Sequence, residues 1–179
     1  MISQIDHPDQ EDTLITKIDP ERFIAQVFHI KENSTGDAAK LRNGLSESKR
    51  IKAWEVLVTL GYSIALERNE IILRTIAASV TKSKFTENGD VHFADGLRQL
   101  RLRSASTDLY FQRILACKDS KQVCHILPRL LNLLQSKGIP LDYVRLTRDL
   151  IFFDSNVEKT KAIWAEIFYK PYKKENGAE

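Results

Sequence analysis

The sequence SKQVCHILPRLLNLLQSK occupies residues 120–137 and contains the most apolar run of the chain. Its apolar residues recur at spacings of three and four, which is the pattern of a helix that buries one side. They are Val123, Ile126, Leu127, Leu130, Leu131 and Leu134. We therefore expect a central core helix that ends at Gly138. Pro128 lies inside the run, so this helix either kinks there or restarts with Pro128 in its first turn.

Helical periodicity also precedes this segment. Asp19 is a favourable N-cap and Pro20 a favourable first helical residue. Residues 31–36 are predicted to form a loop, with Asp37 capping the helix that follows. The next helix shows an apolar stripe made of Ile51, Trp54, Leu57 and Val58, and a further helix is predicted over residues 69–83.

The chain continues in the same way toward its C-terminus. Asn88-Gly89 is a turn signal, but its flanks lack strand alternation, so it predicts a turn between helices. Later helices are expected to begin near Phe93 and Thr107 and to cover residues 142–153 and 156–170. The fold class is therefore all-α, with about eight or nine helices in one bundle or in two small helical lobes.

Composition divides the chain into three parts. Residues 1–18 form an acidic segment that we expect to be flexible, residues 19–170 form the all-helical domain, and residues 171–179 form a polar tail. If there are two lobes, their boundary is expected near residues 86–105. No apolar run approaches the roughly 20 residues that a membrane helix needs, and no signal peptide is recognisable, which predicts a cytoplasmic protein.

The sequence offers little for catalysis. It has neither a phosphate-binding glycine loop nor a recognisable nucleophile motif. Cys117 and Cys124 are interpreted as reduced core thiols that share one helix, and the best zinc set combines them with His125 and the distant His92. Ordinary core and surface roles are the favoured explanation for these residues. The prediction is a protein that is not an enzyme and has neither cofactor nor metal.

Charge is distributed unevenly along the chain. Residues 1–39 hold 3 Lys and Arg against 8 Asp and Glu, residues 40–130 hold 16 against 9, and residues 131–179 hold 8 against 7. Such a basic middle is often only a solvated helix surface. Two details favour nucleic-acid binding. Lys49, Arg50 and Lys52 crowd a helix N-terminus, where cations oppose the helix dipole, and the basic residues between 98 and 129 are mostly Arg, whose guanidinium matches phosphate.

Five short segments in a fixed order resemble a known family. They are AKLR at 39–42, FADGLR at 93–98, YFQRIL at 110–115, LPRLL at 127–131 and LDY at 141–143. Their order and spacing are similar to those of the small subunit of the type I-E CRISPR surveillance complex, the CasB family. The similarity covers roughly Asp37 to Lys170, and it leaves the acidic N-terminal segment as an extension and Pro128 as a departure.

The resemblance implies a two-lobed helical protein without enzymatic activity. Such a subunit is expected to be a dimer along the belly of Cascade, beside the other Cascade subunits and away from membranes. Its basic surfaces would stabilise the guide RNA together with the target and displaced DNA strands, without recognising their sequence, because base pairing supplies the specificity.

The resemblance also places ten candidate nucleic-acid contacts. Arg42, Arg98, Arg113 and Arg129 match basic positions of the family motifs and are the principal candidates. Their neighbours complete the set: Lys40, Lys49, Arg50, Arg101, Arg103 and Lys118. Tyr110 and Phe111 are expected in the core rather than as stacking platforms for bases. The main alternative is a helical adaptor that binds only protein and carries a solvated basic surface.

Overall fold

The computed structural model describes residues 18–104 and 106–172. Within these ranges the chain forms nine α-helices, so the prediction of an all-α fold with eight or nine helices is confirmed. In chain order they are α1 (Pro20–Asn33), α2 (Thr35–Asn43), α3 (Arg50–Thr59), α4 (Glu67–Lys82), α5 (Phe93–Arg101), α6 (Ser106–Ala116), α7 (Ser120–Ser136), α8 (Tyr143–Ile151) and α9 (Val157–Tyr169). A 3₁₀ turn at Glu47–Lys49 precedes α3. None of the described helices is both long enough and apolar enough to cross a bilayer.

The terminal segments fall largely outside this description. Only Ile18 of the predicted N-terminal segment 1–18 and only Pro171 and Tyr172 of the predicted tail 171–179 belong to the described residues. The buried apolar side chains of the described residues form a single cluster to which all nine helices contribute. A lobe boundary near residues 86–105 stays a prediction.

The centre of the fold is α4. Every residue from 69 to 81 is buried, and α1, α2, α3, α7 and α8 pack around this helix. The prediction that residues 120–137 form the central helix was therefore wrong, although α7 does bury its apolar side against α4. Apolar content pointed to α7 because α4 carries polar residues around its circumference. Some of those residues bond within the helix, as Thr81 does by donating from Oγ1 to the Ala77 carbonyl at 2.8 Å. Others bond to distant residues, as Arg74 does by donating to the Gly44 carbonyl at 3.0 Å.

The boundary between α1 and α2 differs from the predicted loop at residues 31–36. α1 continues to Asn33, whose side-chain amide donates to the His29 carbonyl at 2.9 Å, and Ser34 alone separates it from α2. Asp37 is not a cap but lies in the first turn of α2, where it accepts a 3.0 Å hydrogen bond from Ser34 Oγ. The polar residues of this stretch mark the solvent side of two helices.

The apolar stripe predicted for α3 is only partly buried. Leu57 is fully buried, but Ile51 is 72% exposed and Val58 is 55% exposed. The helix instead turns Ala53 and Val56 toward the core. Because the small Ala53 takes an inward position, the buried side of α3 could not be recognised from large apolar residues.

α7 is continuous from Ser120 to Ser136, with Pro128 inside it, so the alternative in which the helix restarts at Pro128 is wrong. The two cysteines do not share a helix either, since Cys117 lies in the loop between α6 and α7. Both thiols are free and buried, as expected for core cysteines. Burial raises the pKa of Cys124 to about 12, so this thiol stays protonated at neutral pH.

The segment that contains Asn88-Gly89 connects α4 to α5, as predicted, and packs against the loop between α7 and α8. The Gly89 amide donates to the Leu141 carbonyl at 2.9 Å, and the Val91 amide donates to the Pro140 carbonyl at 3.0 Å. A Cβ atom at position 89 would lie 2.0 Å from the Pro140 oxygen, so only glycine fits. This junction fixes the C-terminal end of α7 relative to the start of α5.

Candidate nucleic-acid interface

Four of the ten candidate cations are held by carboxylates. Lys40 lies 3.2 Å from Asp37 Oδ1 and 2.8 Å from Glu55 Oε1. Arg98 lies 2.6 Å from Asp95, Arg101 lies 2.9 Å from Asp108, and Arg50 pairs with Glu70 at 2.9 Å. A cation with a bound carboxylate offers less net charge to a phosphate, so these four contribute less to anion binding than a count of basic residues suggests.

The pair made by Arg50 belongs to a buried cluster. Glu70 is 1% exposed and accepts hydrogen bonds from Arg50, from Arg74 Nε at 2.6 Å and from Trp54 Nε1 at 2.7 Å. Burial opposes ionisation of this carboxyl, but the three donors outweigh burial and hold the pKa of Glu70 below its usual value. The unfavourable placement of Arg50 at a helix N-terminus is thus explained by its partner in the fold.

Arg98 and Arg101 also lie against aromatic rings. The Arg98 guanidinium is 4.8 Å from the centre of the Tyr172 ring, and the Arg101 guanidinium is 5.4 Å from the rings of Phe168 and Tyr169. These cation–π contacts join α5 to the end of α9. Both arginines therefore support the packing of the C-terminal helix.

Arg42 has a third kind of environment. It is exposed, and its Nε donates to the Thr81 carbonyl at 3.3 Å, at the C-terminal end of α4. Lys31 donates to the Phe85 carbonyl just beyond the same end. Burial lowers the pKa of Lys31, and the nearby Arg42 contributes to the decrease. Cations at this position complement the negative end of the helix dipole.

The remaining candidates include two arginines on one surface of α6 and α7. The Arg113 guanidinium lies 5.9 Å from the centre of the Tyr110 ring, and the Arg129 guanidinium lies 4.9 Å from the same ring. Both arginines are exposed, and no carboxylate oxygen of the described residues lies within 4.0 Å of either. Tyr110, predicted to be in the core, is only partly buried and orients the two guanidinium groups.

Lys118 adjoins this surface, since its backbone amide donates to Gln122 Oε1 at 2.9 Å and its side chain is exposed. Gln122 and Arg113 also line a cavity of about 400 Å³ between the two helices. We call the surface formed by Tyr110, Arg113, Lys118, Gln122 and Arg129 the α6–α7 surface. It combines three cations without a carboxylate partner among the described residues.

Two further candidates, Lys49 and Arg103, are exposed and lie elsewhere. Lys49 lines a cavity of about 190 Å³ with Lys40 and Lys52, between α2 and α3. Arg103 lines a cavity of about 150 Å³ with Lys137, between the end of α5 and the loop that follows α7. The ten candidates are thus distributed over several surfaces rather than gathered in one site.

Lys137 and Lys84 were absent from the predicted set. Lys137 follows the apolar run of α7, and Lys84 follows the end of α4. The cavity that Lys137 lines includes Gly138, and a Cβ atom at Gly138 would lie 3.2 Å from Lys84 Nζ. Nothing in the sequence signals this convergence, because the two lysines are far apart along the chain.

His92, one of the residues considered for a zinc site, has a role in the fold. His92 caps α5 by accepting a 3.1 Å hydrogen bond at Nδ1 from the Ala94 amide. Across residues 18–104 and 106–172, no group of three or more His, Cys, Asp and Glu is arranged to hold a metal ion.

Comparison with known proteins identifies a family that matches most of the helical domain. The family model described as CRISPR-associated protein Cse2 matches residues 37–169. The chain belongs to the Cse2 family. This is the CasB family that the order of the sequence motifs indicated, and the matched range nearly equals the predicted one.

A solved structure shares the fold. It is described as a "CRISPR RNA-guided surveillance complex", and the chain superimposes on one of its chains with a TM-score of 0.68 at 19% sequence identity. The superposition covers 89% of this chain and 93% of that chain. No curated protein matches the sequence. The arrangement of helices in this Cse2-family chain is therefore shared with a component of such a complex.

Proposed function

We propose that this Cse2-family chain is the non-catalytic small subunit of a type I-E CRISPR interference complex, Cascade. In that complex it stabilises the guide RNA and the target and displaced DNA strands through contacts to their backbones that do not depend on sequence. The family and the shared fold support the assignment as a subunit. The partners are the other Cascade subunits, the RNA and the DNA, with a second copy of this chain as a homodimer, and the complex acts in the cytoplasm.

The observation that carries the nucleic-acid role is the unbalanced charge of the α6–α7 surface. Arg113 and Arg129 both contact the ring of Tyr110, at 5.9 Å and 4.9 Å from its centre, so two like charges that repel each other share one surface. A backbone phosphate relieves this repulsion and can accept hydrogen bonds from either planar guanidinium. Such contacts fix the position of a strand but carry no sequence information.

We rank the ten candidates by their expected contributions to nucleic-acid binding, according to whether a carboxylate lies nearby. The strongest contacts are assigned to the exposed cations that have no carboxylate within 4.0 Å among the described residues: Arg113, Arg129, Lys118, Arg103 and Lys49. Arg42 can use the part of its guanidinium that Thr81 leaves free. Lys40, Arg50, Arg98 and Arg101 are assigned weaker contacts, because each already neutralises an acidic residue.

A protein interface is also required of a subunit, and α3 offers apolar surface for it. Ile51 and Val58 are seven residues apart on α3 and are the two most exposed large apolar side chains of that helix. Exposed apolar residues at this spacing lie on the same side of a helix. The same observation would suit the alternative function, a helical adaptor that binds only protein.

The experiment that separates the two functions is purification of the tagged protein from its native host at low salt, followed by sequencing of the accompanying RNA. We expect short RNAs in which varied spacers are flanked by one constant repeat. Recovery of protein partners without such RNA, from cells that express the repeat locus, would favour the adaptor. Substitution of Arg113 and Arg129 by Ala should leave the protein partners in place and reduce the RNA that remains bound at rising salt.

A further inference from the structure

The solvent side of α7 is polar and lacks acidic residues along its whole length. α7 contains neither Asp nor Glu between its first residue, Ser120, and its last, Ser136. Its most exposed positions, together with the residue that follows it, are Gln122, His125, Arg129, Asn132, Ser136 and Lys137. We call this set the α7 stripe. An exposed helix side of this length without a single carboxylate offers no repulsion to a polyanion.

Helix geometry places the residues of the stripe on one side of α7. Successive residues advance by about 100°, so Ser136 lies within about 20° of Arg129, and His125 lies within about 40° of it. At a rise of about 1.5 Å per residue, the distance from Gln122 to Lys137 is about 22 Å along the axis. A stacked strand carries one phosphate every ~3.4 Å and would therefore present about six phosphates over this length.

Cations stand at three points along the stripe. In its N-terminal half, Arg113 lines a cavity with Gln122 and His125. Arg129, which contacts the same Tyr110 ring as Arg113, lies near the middle. At its C-terminal end, Lys137 meets Arg103 at a cavity of about 150 Å³. Neither Lys137 nor Arg103 has a carboxylate within 4.0 Å among the described residues.

The C-terminal end is held rigidly. Gly138 has a φ of +74°, and a Cβ atom there would lie 3.2 Å from Lys84 Nζ, so Lys84 packs directly beside the residue that follows Lys137. The next residues of this loop are bonded to the segment that contains Gly89. Three separate parts of the chain therefore supply cations at this end: Arg103 and Lys137 line one cavity that includes Gly138, and Lys84 packs beside Gly138.

Carboxylates lie near both limits of this surface. Asp119 caps α7 by accepting from the Gln122 amide at 2.8 Å, just before the stripe begins. Glu87 and Asp90 line a separate cavity with Lys84, beyond the C-terminal end. These acidic residues bound the stripe at each end and limit the length of polyanion that it can accept.

We propose that one single strand of nucleic acid lies lengthwise on the α7 stripe, over about six nucleotides. Its phosphates contact Arg113 in the N-terminal half, Arg129 near the middle, and Lys84, Arg103 and Lys137 at the C-terminal end. The amide and hydroxyl groups of Gln122, Asn132 and Ser136 meet the sugars and phosphates along this path. This inference rests on the proposed nucleic-acid role and specifies the path and the length of the bound strand.

The test is a titration of the isotopically labelled full chain with an oligothymidine of about 12 nucleotides at low salt, followed by nuclear magnetic resonance. We expect the amides of Gln122, Asn132 and Ser136 to shift together with one dissociation constant. Shifts confined to the N-terminal half, near Arg113, would overturn the lengthwise path but keep the proposed function. Absence of any shift at low salt would count against both.

Charge removal provides the second measurement. Lys84→Ala with Lys137→Ala should reduce the slope of the log affinity against log salt by about 1.4, because each neutralised phosphate contributes about 0.7. The matched control is Arg145→Ala with Lys159→Ala, which removes two exposed cations from α8 and α9 and should leave the slope unchanged. A double variant of Lys84 and Lys137 that behaves like the wild-type chain would refute the C-terminal end of the path.

Discussion

Two regions of this protein carry arginines that look alike in the sequence and differ in the structure. Around Glu70, Arg50 and Arg74 surround a buried carboxylate. On the α6–α7 surface, Arg113 and Arg129 share a tyrosine ring without a carboxylate partner among the described residues. The first arrangement holds helices together, and the second leaves charge available to a ligand. The environment of each arginine, rather than the number of arginines, decides between structure and binding.

Buried and exposed charges differ in energy as well as in role. A buried carboxylate that loses its partners retains an uncompensated desolvation cost, whereas an exposed arginine that loses a neighbour is simply hydrated. Substitutions in the first region should therefore change stability much more than nucleic-acid binding. Substitutions in the second should do the reverse.

The largest effect is expected from Glu70→Ala. It leaves Arg74, which is 5% exposed, and the partly exposed Arg50 without their shared acceptor. We expect the free energy of unfolding to fall by about 3 kcal/mol, the lower end of the range for breaking a buried ion pair, since Arg50 retains access to water. Denaturation in urea, followed by circular dichroism, measures the change.

Glu67→Ala is the control for this substitution. Glu67 lies one turn earlier on α4, is exposed and pairs with Lys121 at 2.9 Å. Its loss should leave the urea midpoint nearly unchanged. Equal destabilisation by the two substitutions would mean that burial does not distinguish them, and the contrast between the two regions would fail.

Arg113→Ala combined with Arg129→Ala should have the next largest effect, on binding rather than on stability. Loss of two phosphate contacts at about 0.7 each reduces affinity for a single strand roughly 60-fold at about 50 mM salt. The loss should be the same for every DNA sequence, since backbone contacts carry no sequence information. Fluorescence anisotropy with strands of different sequence measures it.

Two results for the variant that lacks Arg113 and Arg129 would contradict this prediction. A loss that depends strongly on base sequence would indicate recognition of bases and contradict a backbone contact. A fall in the urea midpoint comparable to that of Glu70→Ala would show that Arg113 and Arg129 serve the fold. Arg145→Ala with Lys159→Ala is again the control for the change in net charge.

The sequence predicted the helices well where large apolar residues mark the buried side, as in α7. It was wrong where that marker is missing. The small Ala53 occupies an inner position of α3, and Glu70 and Arg74 made the buried part of α4, residues 69–81, look half polar. Burial of paired polar residues depends on partners that are distant in sequence, so local periodicity could not identify α4 as the centre.

The candidate interface was less predictable than the fold. Arg113 and Arg129 were chosen from motifs, but the sequence did not show that they meet at Tyr110 or that Arg50 is held by Glu70. Lys84 and Lys137 were missed because only the packing at Gly138, the residue after Lys137, places Lys84 beside this end of α7. Spatial pairing of charges across helices is a property of the packing, which the spacing of residues along one helix does not encode.

The stability of the fold should also depend on pH through Glu70. Burial opposes ionisation of Glu70, but the donors from Trp54, Arg74 and Arg50 outweigh it and hold the pKa of this carboxyl below the usual value of 4.5. A carboxylate with a depressed pKa in the folded state contributes stability that is fully present above 4.5 and is lost as the pH falls through the lower, folded value.

Urea midpoints measured from pH 7 down to about pH 3 should therefore decrease below about pH 4.5. The decrease should be shallower in Glu70→Gln, which has no proton to gain at this position. A decrease of equal steepness in both proteins would assign acid sensitivity to other carboxyl groups and separate it from the Glu70 cluster.

The smallest expected effect comes from converting a paired arginine into a free one. Asp108→Asn removes the partner of Arg101, which lies two residues from Arg103, and Asp108 lies two residues from Tyr110. Both members of this pair are thus close in sequence to the proposed path of the strand. If the availability of charge decides binding, this substitution should steepen the salt dependence by up to about 0.7, which is one additional phosphate.

Glu55→Gln makes the same change in net charge in a different place. It releases Lys40 from its shorter ion pair, on α2 and α3, away from the α7 stripe. For a single strand of about six nucleotides bound on the α7 stripe, we expect this substitution to leave the salt dependence unchanged, because Lys40 lies on another surface that this strand does not reach. Steepening by both substitutions would mean that net charge alone governs the affinity, whereas steepening by Asp108→Asn alone requires that the strand follow a defined path near α6 and α7.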